Sequence, residues 1–337
     1  MCQKNVIIHS CPIRLTVAFQ EIVQGRETNR SKVGNFSVEQ RRNPRFFWTT
    51  EVRRLADAIG NTTIAAWEDI FQADALLTPE GLGKYFLSYE SFHAVPEGQY
   101  IYRKRNIEVS PLDGRPKKLA IAFVAPSATG KDTLLDLILS QFRDSISKVR
   151  THTTRKARDR GEEKSGSYYF TSRKRMETLA QKNRLIEVLN DGANLYGTSM
   201  QAFHRTMGSE QPVTVWRGDI IGLPSLKQYC ALHGIPFVAV GVLPCLAYVE
   251  MEQRIRDKRP SDADARIARA RYELEHMADV VDFIALNPPV YHDDGGPRLP
   301  IEAAGAIGEL LVTLSSRGIF YSDTIAPSSV VYCSSDG

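Results

Sequence analysis

Residues 125–133, APSATGKDT, have the types and spacing of a loop that binds phosphate groups. The general pattern is G-x-x-x-x-G-K-S/T, in which backbone N–H groups and the start of a helix face the phosphate oxygens. Gly130 allows a close approach of the backbone, and Lys131 can reach the outer phosphates of a nucleotide. The predicted phosphate-binding residues are Ala125, Pro126, Ser127, Ala128, Thr129, Gly130, Lys131, Asp132 and Thr133.

The loop departs from the general pattern in two ways. Alanine stands at Ala125 in place of the first glycine and again at Ala128, which is unfavourable wherever the loop requires a positive φ. Asp132 occupies the hydroxyl position, and Thr133 follows one residue later. A carboxylate near phosphates is unfavourable unless it binds Mg²⁺ or points away. Asp132 and Thr133 are therefore the candidate ligands for a magnesium ion.

The loop lies in a pattern of alternating strands and helices. The run LAIAFV, residues 119–124, is apolar throughout, as in a strand buried on both faces of a parallel sheet. Residues 132–142, after the loop, have helical periodicity. Further strands are predicted over 213–216, 237–242 and 280–286, and a helix over 262–277. This order predicts an α/β fold with a mainly parallel sheet flanked by helices.

The pattern predicts three parts of the chain. Residues 1–117 form a region of unknown function, mostly helical, with helices expected over 49–60, 62–77 and 78–89. Residues 110–118, SPLDGRPKK, have the composition of a linker into a domain over 118–315. The serine-rich residues 316–337 are predicted to be a flexible tail.

Composition excludes several classes of protein. With 42% hydrophobic and 24% charged residues and no apolar run near the length of about 20 that a membrane helix needs, no membrane partner is expected. Five widely spaced cysteines without a C-x-x-C pair exclude a disulfide framework and favour a cytoplasmic location. The basic and aromatic stretch 30–54 could bind nucleic acid, although a solvated basic face is the better interpretation.

Residues 151–170, THTTRKARDRGEEKSGSYYF, and 185–199, LIEVLNDGANLYGTS, resemble the guanylate kinase family. That family has the run S-x-T-T-R-x-P-R-x-G-E-x-x-G-x-x-Y-x-F, and then a glutamate followed by Y-G-S/T. The step of nine residues from Glu187 to Tyr196 is that of the family. The first stretch differs by one extra residue before Gly161, by a glycine one place late, and by Ala157 in place of proline.

The resemblance implies a P-loop kinase with a small GMP-binding insertion at about 151–200 and a lid at about 254–272. It implies that the acceptor phosphate is bound by Arg155, Arg158, Tyr168 and Tyr196. It implies that guanine is recognised by Thr151, Glu187 and Thr198, with Asp219 assisting, and Glu162 and Gly197 belong to the same motifs. Arginines suit a phosphate dianion, and a carboxylate can accept from the N1–H and the amine of guanine.

The resemblance extends to the lid and to two strand ends. Arg259 and Arg266 fit the lid arginines, which would neutralise the transferring phosphoryl group, and Arg269 is a rival for the second position. Asn287 fits an asparagine that lies near adenine. The strand end that the family writes D-I/L-D is written R-G-D over residues 217–219.

Three functions remain open at this stage. The leading hypothesis is a kinase that phosphorylates GMP or dGMP with ATP as co-substrate and Mg²⁺ as cofactor, so that small-molecule nucleotides are its partners. A ribose 1,5-bisphosphate kinase is the first alternative, because that relative shares the fold and a G-K-D-S/T loop. An inactive module that binds a phosphorylated partner is the second. No general base is needed, since the attacking oxygen is already ionised.

Overall fold

The structure, a computed structural model, describes residues 118–291 except 165 and 192, and residues 297–317 and 319–321. Earlier in the chain it describes residues 88–95 and 98–109, and the positions 71, 76–78, 81, 82 and 86. Residues 151–199 form one compact unit, close to the range predicted for the GMP-binding insertion, and the other described residues belong to a second unit. The basic stretch 30–54 lies outside the described residues.

The strands, in chain order, are β1 (Tyr89–Val95), β2 (Gly98–Lys104), β3 (Ile107–Val109), β4 (Leu119–Val124), β5 (Ile146–Lys148), β6 (Thr151–Thr153), β7 (Tyr168–Phe170), β8 (Leu185–Asn190), β9 (Leu195–Ser199), β10 (Val213–Gly218), β11 (Phe237–Leu243), β12 (Phe283–Leu286), β13 (Val290–Tyr291), β14 (Pro297–Arg298) and β15 (Ile319–Tyr321). The helices are α1 (Lys131–Gln141), α2 (Arg160–Lys164), α3 (Arg173–Gln181), α4 (Met200–Met207), α5 (Leu223–Leu232), α6 (Tyr248–Lys258), α7 (Ala263–Val280) and α8 (Ile301–Ser316), with a 3₁₀ turn over Pro260–Asp262.

A seven-stranded sheet in the order β1-β2-β12-β11-β4-β10-β5 is the centre of the larger unit. The five strands from β12 to β5 run parallel, whereas β2 pairs antiparallel with β12 and β1 antiparallel with β2. All six residues of β4 are buried, as its continuous apolar run predicts. The mainly parallel α/β fold that the sequence predicts is thereby confirmed.

The core of this unit brings the sheet together with α1 and α8. Leu134 and Ile138 of α1 and Leu311 of α8 are buried beside Ile121 and Val215 of the sheet. The helix α1 therefore begins directly at the end of β4 with its position fixed by packing. Among the described residues no helix is long and apolar enough to cross a membrane.

The prediction of a mostly helical N-terminal region does not hold for residues 89–95 and 98–109, which contain β1, β2 and β3. The segment Tyr100–Tyr102 is β-branched and aromatic, a composition that favours strands, and β2 supplies hydrogen-bonding partners to the otherwise open edge of β12. In the helix predicted over 78–89, the described residues lie in turns and at the start of β1. The helix predicted over 49–60 lies outside the described residues, as does all of the one over 62–77 except Phe71, which is helical, and residues 76 and 77.

The predicted flexible tail also begins differently. Helix α8 ends at Ser316, and β15 pairs antiparallel with β3, so residues 319–321 are ordered by contact with the N-terminal part of the chain. The rest of the tail lies outside the described residues. In the seven-stranded sheet, β1 and β2 also precede the predicted domain boundary at residue 118.

The smaller unit is built on a four-stranded sheet in the order β7-β6-β9-β8. β6 and β7 are parallel, and β9 is antiparallel to both β6 and β8. Helix α3 lies against β8 and β9 and buries Met176 completely. This small sheet carries most of the residues that the sequence assigns to the acceptor.

We expect Ile101→Ala to destabilise the larger unit although Ile101 precedes the predicted domain. The side chain is fully buried in the core that α1 and α8 complete, so truncation should lower the free energy of unfolding by about 2–5 kcal/mol. Urea unfolding of the full chain measures the effect. Ile301→Ala, at a position with 47% exposure, is the matched control. Equal effects of the two substitutions would show that β2 is not part of the cooperative core.

Candidate functional site

The predicted phosphate loop connects β4 to α1. Ala128 has a φ of 66° and Gly130 a φ of 76°, so both residues adopt the left-handed region. An alanine pays about 1–2 kcal/mol for this conformation, and glycine almost nothing. Ala125 is not among the residues with positive φ, so its replacement of glycine carries no such cost. Only one of the two alanine departures therefore strains the loop.

Asn287, which follows β12, holds the loop from the side. Its Nδ2 donates to the carbonyl oxygen of Thr129 at 2.7 Å, and its backbone N–H donates to Leu243 at the end of β11. A Cβ on Gly130 would lie 2.7 Å from the same Nδ2, so glycine is needed here for space as well as for φ. The Oδ1 atom of Asn287 is buried and accepts no hydrogen bond from the described residues. Its predicted contact with adenine stays a prediction.

The first two residues of α1 contact the last two residues of β10. Lys131 Nζ donates to the carbonyl oxygen of Gly218, and Asp132 Oδ1 lies 3.2 Å from the guanidinium of Arg217. The Arg217 side chain is 10% exposed, whereas that of Asp132 is 64% exposed. Burial lowers the pKa of Lys131. Burial opposes ionisation of Asp132, but Arg217 and Lys131 together hold its pKa below the ordinary value.

A second group of charges follows β10. Asp219 Oδ1 accepts the backbone N–H groups of Ile221 and Gly222 at 2.9 and 3.0 Å, and its Oδ2 pairs with Arg269 of α7. Arg269 Nε also donates to Glu273 at 2.9 Å. The side chain of Glu273 is 3% exposed, and burial raises its pKa to about 7. Asp219 therefore belongs to the unit of the phosphate loop, and its predicted contact with guanine stays a prediction.

These two groups together form what we call the charge cluster. It consists of Lys131, Asp132, Arg217, Asp219, Arg269 and Glu273. Arg217 and Glu273 were not predicted as site residues. Their signals were present, because Arg217 is the residue that changes the D-I/L-D strand end into R-G-D, and Glu273 lies one helical turn after Arg269.

The three candidate lid arginines have different surroundings. Arg269 is in the charge cluster, whereas Arg266 Nε pairs at 2.5 Å with Asp262 in the 3₁₀ turn before its own helix. Arg259 follows the last residue of α6. Arg269 is thus the candidate that pairs within the charge cluster, and the lid roles of all three arginines stay predictions.

In the smaller unit, Arg155 is held by Glu162 through two hydrogen bonds of 3.0 and 2.6 Å. Glu162 also accepts the backbone N–H of Arg158 at 2.7 Å, while the Arg158 side chain is exposed. Hydrogen bonding to Arg155 lowers the pKa of Glu162 to about 2. The carboxylate is therefore ionised throughout the neutral range and fixes the direction of the guanidinium group.

Arg155 lies among the aromatic side chains of the same unit. Its guanidinium is 5.6 Å from the ring centre of Tyr168 and 5.9 Å from that of Phe170. The rings of Tyr168 and Tyr196 meet edge to face at 6.3 Å. Burial raises the pKa of Tyr196, so its hydroxyl stays protonated and able to donate. The structure thus brings together three of the four residues predicted for the acceptor phosphate.

Two of the predicted base-recognising residues, Glu187 and Thr198, are neighbours. Thr198 Oγ1 donates to Glu187 Oε1 at 2.6 Å, and the two residues are paired across β8 and β9. Thr198 is fully buried and Thr151 is 7% exposed. This hydrogen bond holds one carboxylate oxygen of Glu187 in place, and the predicted contact of Glu187 with guanine stays a prediction.

We expect the pH dependence of stability to contain a contribution from Glu273. Its folded-state pKa of about 7 exceeds the ordinary 4.5, so the stability from its protonated form is complete below about pH 4.5 and lost as pH rises through 7. Glutamine does not ionise, so the decrease in the free energy of unfolding between about pH 5 and pH 8 should be smaller in Glu273→Gln than in wild type. The difference should be about 1–3 kcal/mol. Urea unfolding at the two pH values measures this, with Glu309→Gln on exposed α8 surface as control. Identical pH profiles for wild type and Glu273→Gln would contradict the assignment.

Comparison with known proteins identifies the family. Residues 117–280 match the family model of guanylate kinase. The guanylate kinase of Sus scrofa is 29% identical over 179 residues, which are 52% of this chain and 86% of that protein. The guanylate kinase of Parasynechococcus marenigrum is 30% identical over 165 residues, 48% of this chain and 86% of that protein. Among solved structures, guanylate kinase from Anaplasma phagocytophilum is 20% identical and covers 59% of this chain and 87% of its own, with a TM-score of 0.42. Because the 30% identity extends over most of the cyanobacterial relative, this chain belongs to the guanylate kinase family.

Proposed function

We propose that this protein transfers the γ-phosphoryl group of ATP to GMP or dGMP, with Mg²⁺ as cofactor. The observation that carries the proposal is that groups suited to a phosphate and groups suited to guanine lie on one face of the small sheet. Tyr196 and Thr198 are two residues apart on β9, and side chains at that spacing point to the same face of a strand. Glu187 contacts Thr198, and Tyr168 contacts Tyr196.

This face suits a purine monophosphate better than a phosphate alone. Arg155, with the hydroxyls of Tyr168 and Tyr196, offers charged and neutral donors to the phosphate oxygens. Glu187 offers an acceptor for the N1–H and the amine of guanine. Adenine lacks both donors and would leave the carboxylate unpaired, which a buried polar site tolerates poorly.

The other substrate is proposed to bind at the phosphate loop. Ligands of parallel α/β sheets lie at the carboxyl ends of the strands, where the loop after β4 and the end of β10 are found. Backbone N–H groups at the start of α1 and the ammonium of Lys131 would face the phosphates of ATP. The attacking phosphate oxygen of the acceptor is already ionised, so these residues act by positioning and charge stabilisation.

The residues of the loop are compatible with a magnesium ion. Mg²⁺ at nucleotide sites takes one or two carboxylates, with water and substrate phosphates as its other ligands. Asp132 is 64% exposed and uses one carboxylate oxygen for Arg217, so its second oxygen can serve as a ligand, and the exposed Thr133 lies beside it. When bound, the ion would neutralise charge on the transferring phosphates. In the described residues no group of three or more acidic, histidine or cysteine side chains forms a metal site by itself.

A ribose 1,5-bisphosphate kinase is the second candidate. The observation in its favour is that Asp132 directly follows the loop lysine. Arg217 compensates the charge of this aspartate, so the carboxylate can stay at this position without a bound ligand. Glu187 and Thr198 argue for the nucleotide acceptor, because a sugar phosphate has no base for them to recognise.

ADP release should be measured with Mg-ATP and, in turn, GMP, dGMP, AMP and ribose 1,5-bisphosphate. We expect GMP or dGMP to be phosphorylated well above AMP, and Lys131→Ala to lower kcat by about 100-fold or more. Turnover of ribose 1,5-bisphosphate alone would support the second candidate. GMP binding by calorimetry without phosphorylation of any acceptor would instead indicate an inactive binding module.

We expect Thr198→Val to weaken recognition of GMP while leaving the loop intact. The substitution keeps the shape but leaves the Glu187 oxygen without its 2.6 Å donor. The loss of one such bond to a charged group should raise KM for GMP by about 10- to 100-fold. Thr178→Val, on an exposed face of α3 in the same unit, is the matched control. A KM for GMP that is the same in both variants would remove the proposed role of the pair.

A further inference from the structure

The pair between Asp132 and Arg217 joins two departures from the family pattern. The family has a serine or threonine after the loop lysine and an aspartate at the first position of D-I/L-D, and here these positions are Asp132 and Arg217. The two changed residues contact each other at 3.2 Å. Relative to the family pattern, this chain thus has a carboxylate on the loop and a guanidinium at the strand end.

Neither change is favourable alone. Arg217 is 10% exposed, and a buried guanidinium without an anion carries a large desolvation cost. Asp132 without Arg217 would add an uncompensated negative charge beside the phosphates of a nucleotide. Each residue compensates part of the charge of the other.

We propose that Arg217 is a positioning residue for the phosphate loop. It holds one oxygen of Asp132 away from the nucleotide, leaves the other oxygen for Mg²⁺, and compensates the charge that the aspartate brings. The pair replaces the hydroxyl and aspartate of the family. This inference rests on the proposed binding of ATP at the loop.

The chain contains a matched control for this pair. Asp136, one turn further along α1, lies 3.2 Å from Lys148 of β5. The exposed fractions of its side chains, 67% for the aspartate and 15% for the lysine, resemble those of the first pair. A variant that breaks this second pair loses a comparable ion pair on the same helix but keeps both Asp132 and Arg217.

The test is calorimetric binding of ATP to the full chain, once in EDTA and once in MgCl₂. In Arg217→Leu, ATP binding in EDTA should weaken at least tenfold through repulsion by Asp132, and Mg²⁺ should restore most of it. In Asp132→Ser the loss of the carboxylate beside Arg217 should tighten binding in EDTA, so that the effect of Mg²⁺ shrinks. The combination of Asp132→Ser with Arg217→Asp should regain the wild-type ratio of the two affinities within about threefold.

The outcomes separate the inference from the proposed function. The quantity to compare is the ratio of the ATP affinities in MgCl₂ and in EDTA. If Arg217→Leu changes this ratio no more than Lys148→Leu does, the positioning role is overturned, even if both variants unfold at a lower temperature than wild type. Additive effects of Asp132→Ser and Arg217→Asp in the double variant would overturn it as well. If wild type binds ATP and Lys131→Ala does not, the proposed ATP site is supported, and either of these two outcomes then argues against the role of Arg217 alone. If wild type binds no ATP in either buffer, the proposed function fails first.

Discussion

The balance of charge at the carboxyl ends of β4 and β10 is the constraint on which the site depends. A loop that binds several phosphate charges, as we propose for this one, needs cations, and cations that are partly buried need anions when no substrate is bound. The charge cluster meets both conditions with three cations and three carboxylates. Asp132 pairs with Arg217, Asp219 with Arg269, and Arg269 with Glu273 along α7. Under the proposed function, an arriving nucleotide would meet cations that the internal carboxylates already hold in place.

This balance is possible because β4 and β10 are parallel neighbours. Their register pairs Phe123 with Arg217 and Val124 with Gly218, so the loop after β4 leaves the sheet directly beside the end of β10. Lys131 and Asp132 need only the length of their side chains to reach these two residues. A one-residue slip in the register would direct Arg217 to the other face of the sheet and leave Asp132 without its partner.

Patterns within one segment could be predicted, and partners between segments could not. Two local patterns, the apolar run before the loop and the periodicity of α1, correspond to a strand and a helix of the structure. The motif spacing is a further sequence pattern, and it singles out Arg155, Tyr168, Glu187 and Tyr196. In the structure Tyr168 contacts Tyr196, and Glu187 accepts a hydrogen bond from Thr198. The partner of Asp132 lies 85 positions away, on a strand whose neighbour could not be known from the sequence. The same holds for β2, because its place beside β12 depends on an edge that only the folded sheet creates.

Residues that precede the family match, Phe71 and Tyr89, contact the helix that carries part of the charge cluster. Phe71 packs on Tyr248 of α6 and faces the guanidinium of Arg271 on α7 at 4.6 Å, and Tyr89 donates to the carbonyl oxygen of Val281 at the end of that helix. Arg271 follows Arg269 by two residues, which is about 200° around the helix, so the two arginines point to opposite sides. One side of α7 is thus held by the N-terminal segment while the other side carries Arg269 and Glu273. Residues that the guanylate kinase match does not include thus contribute, with the buried residues of α7 itself, to the position of the helix that carries Arg269.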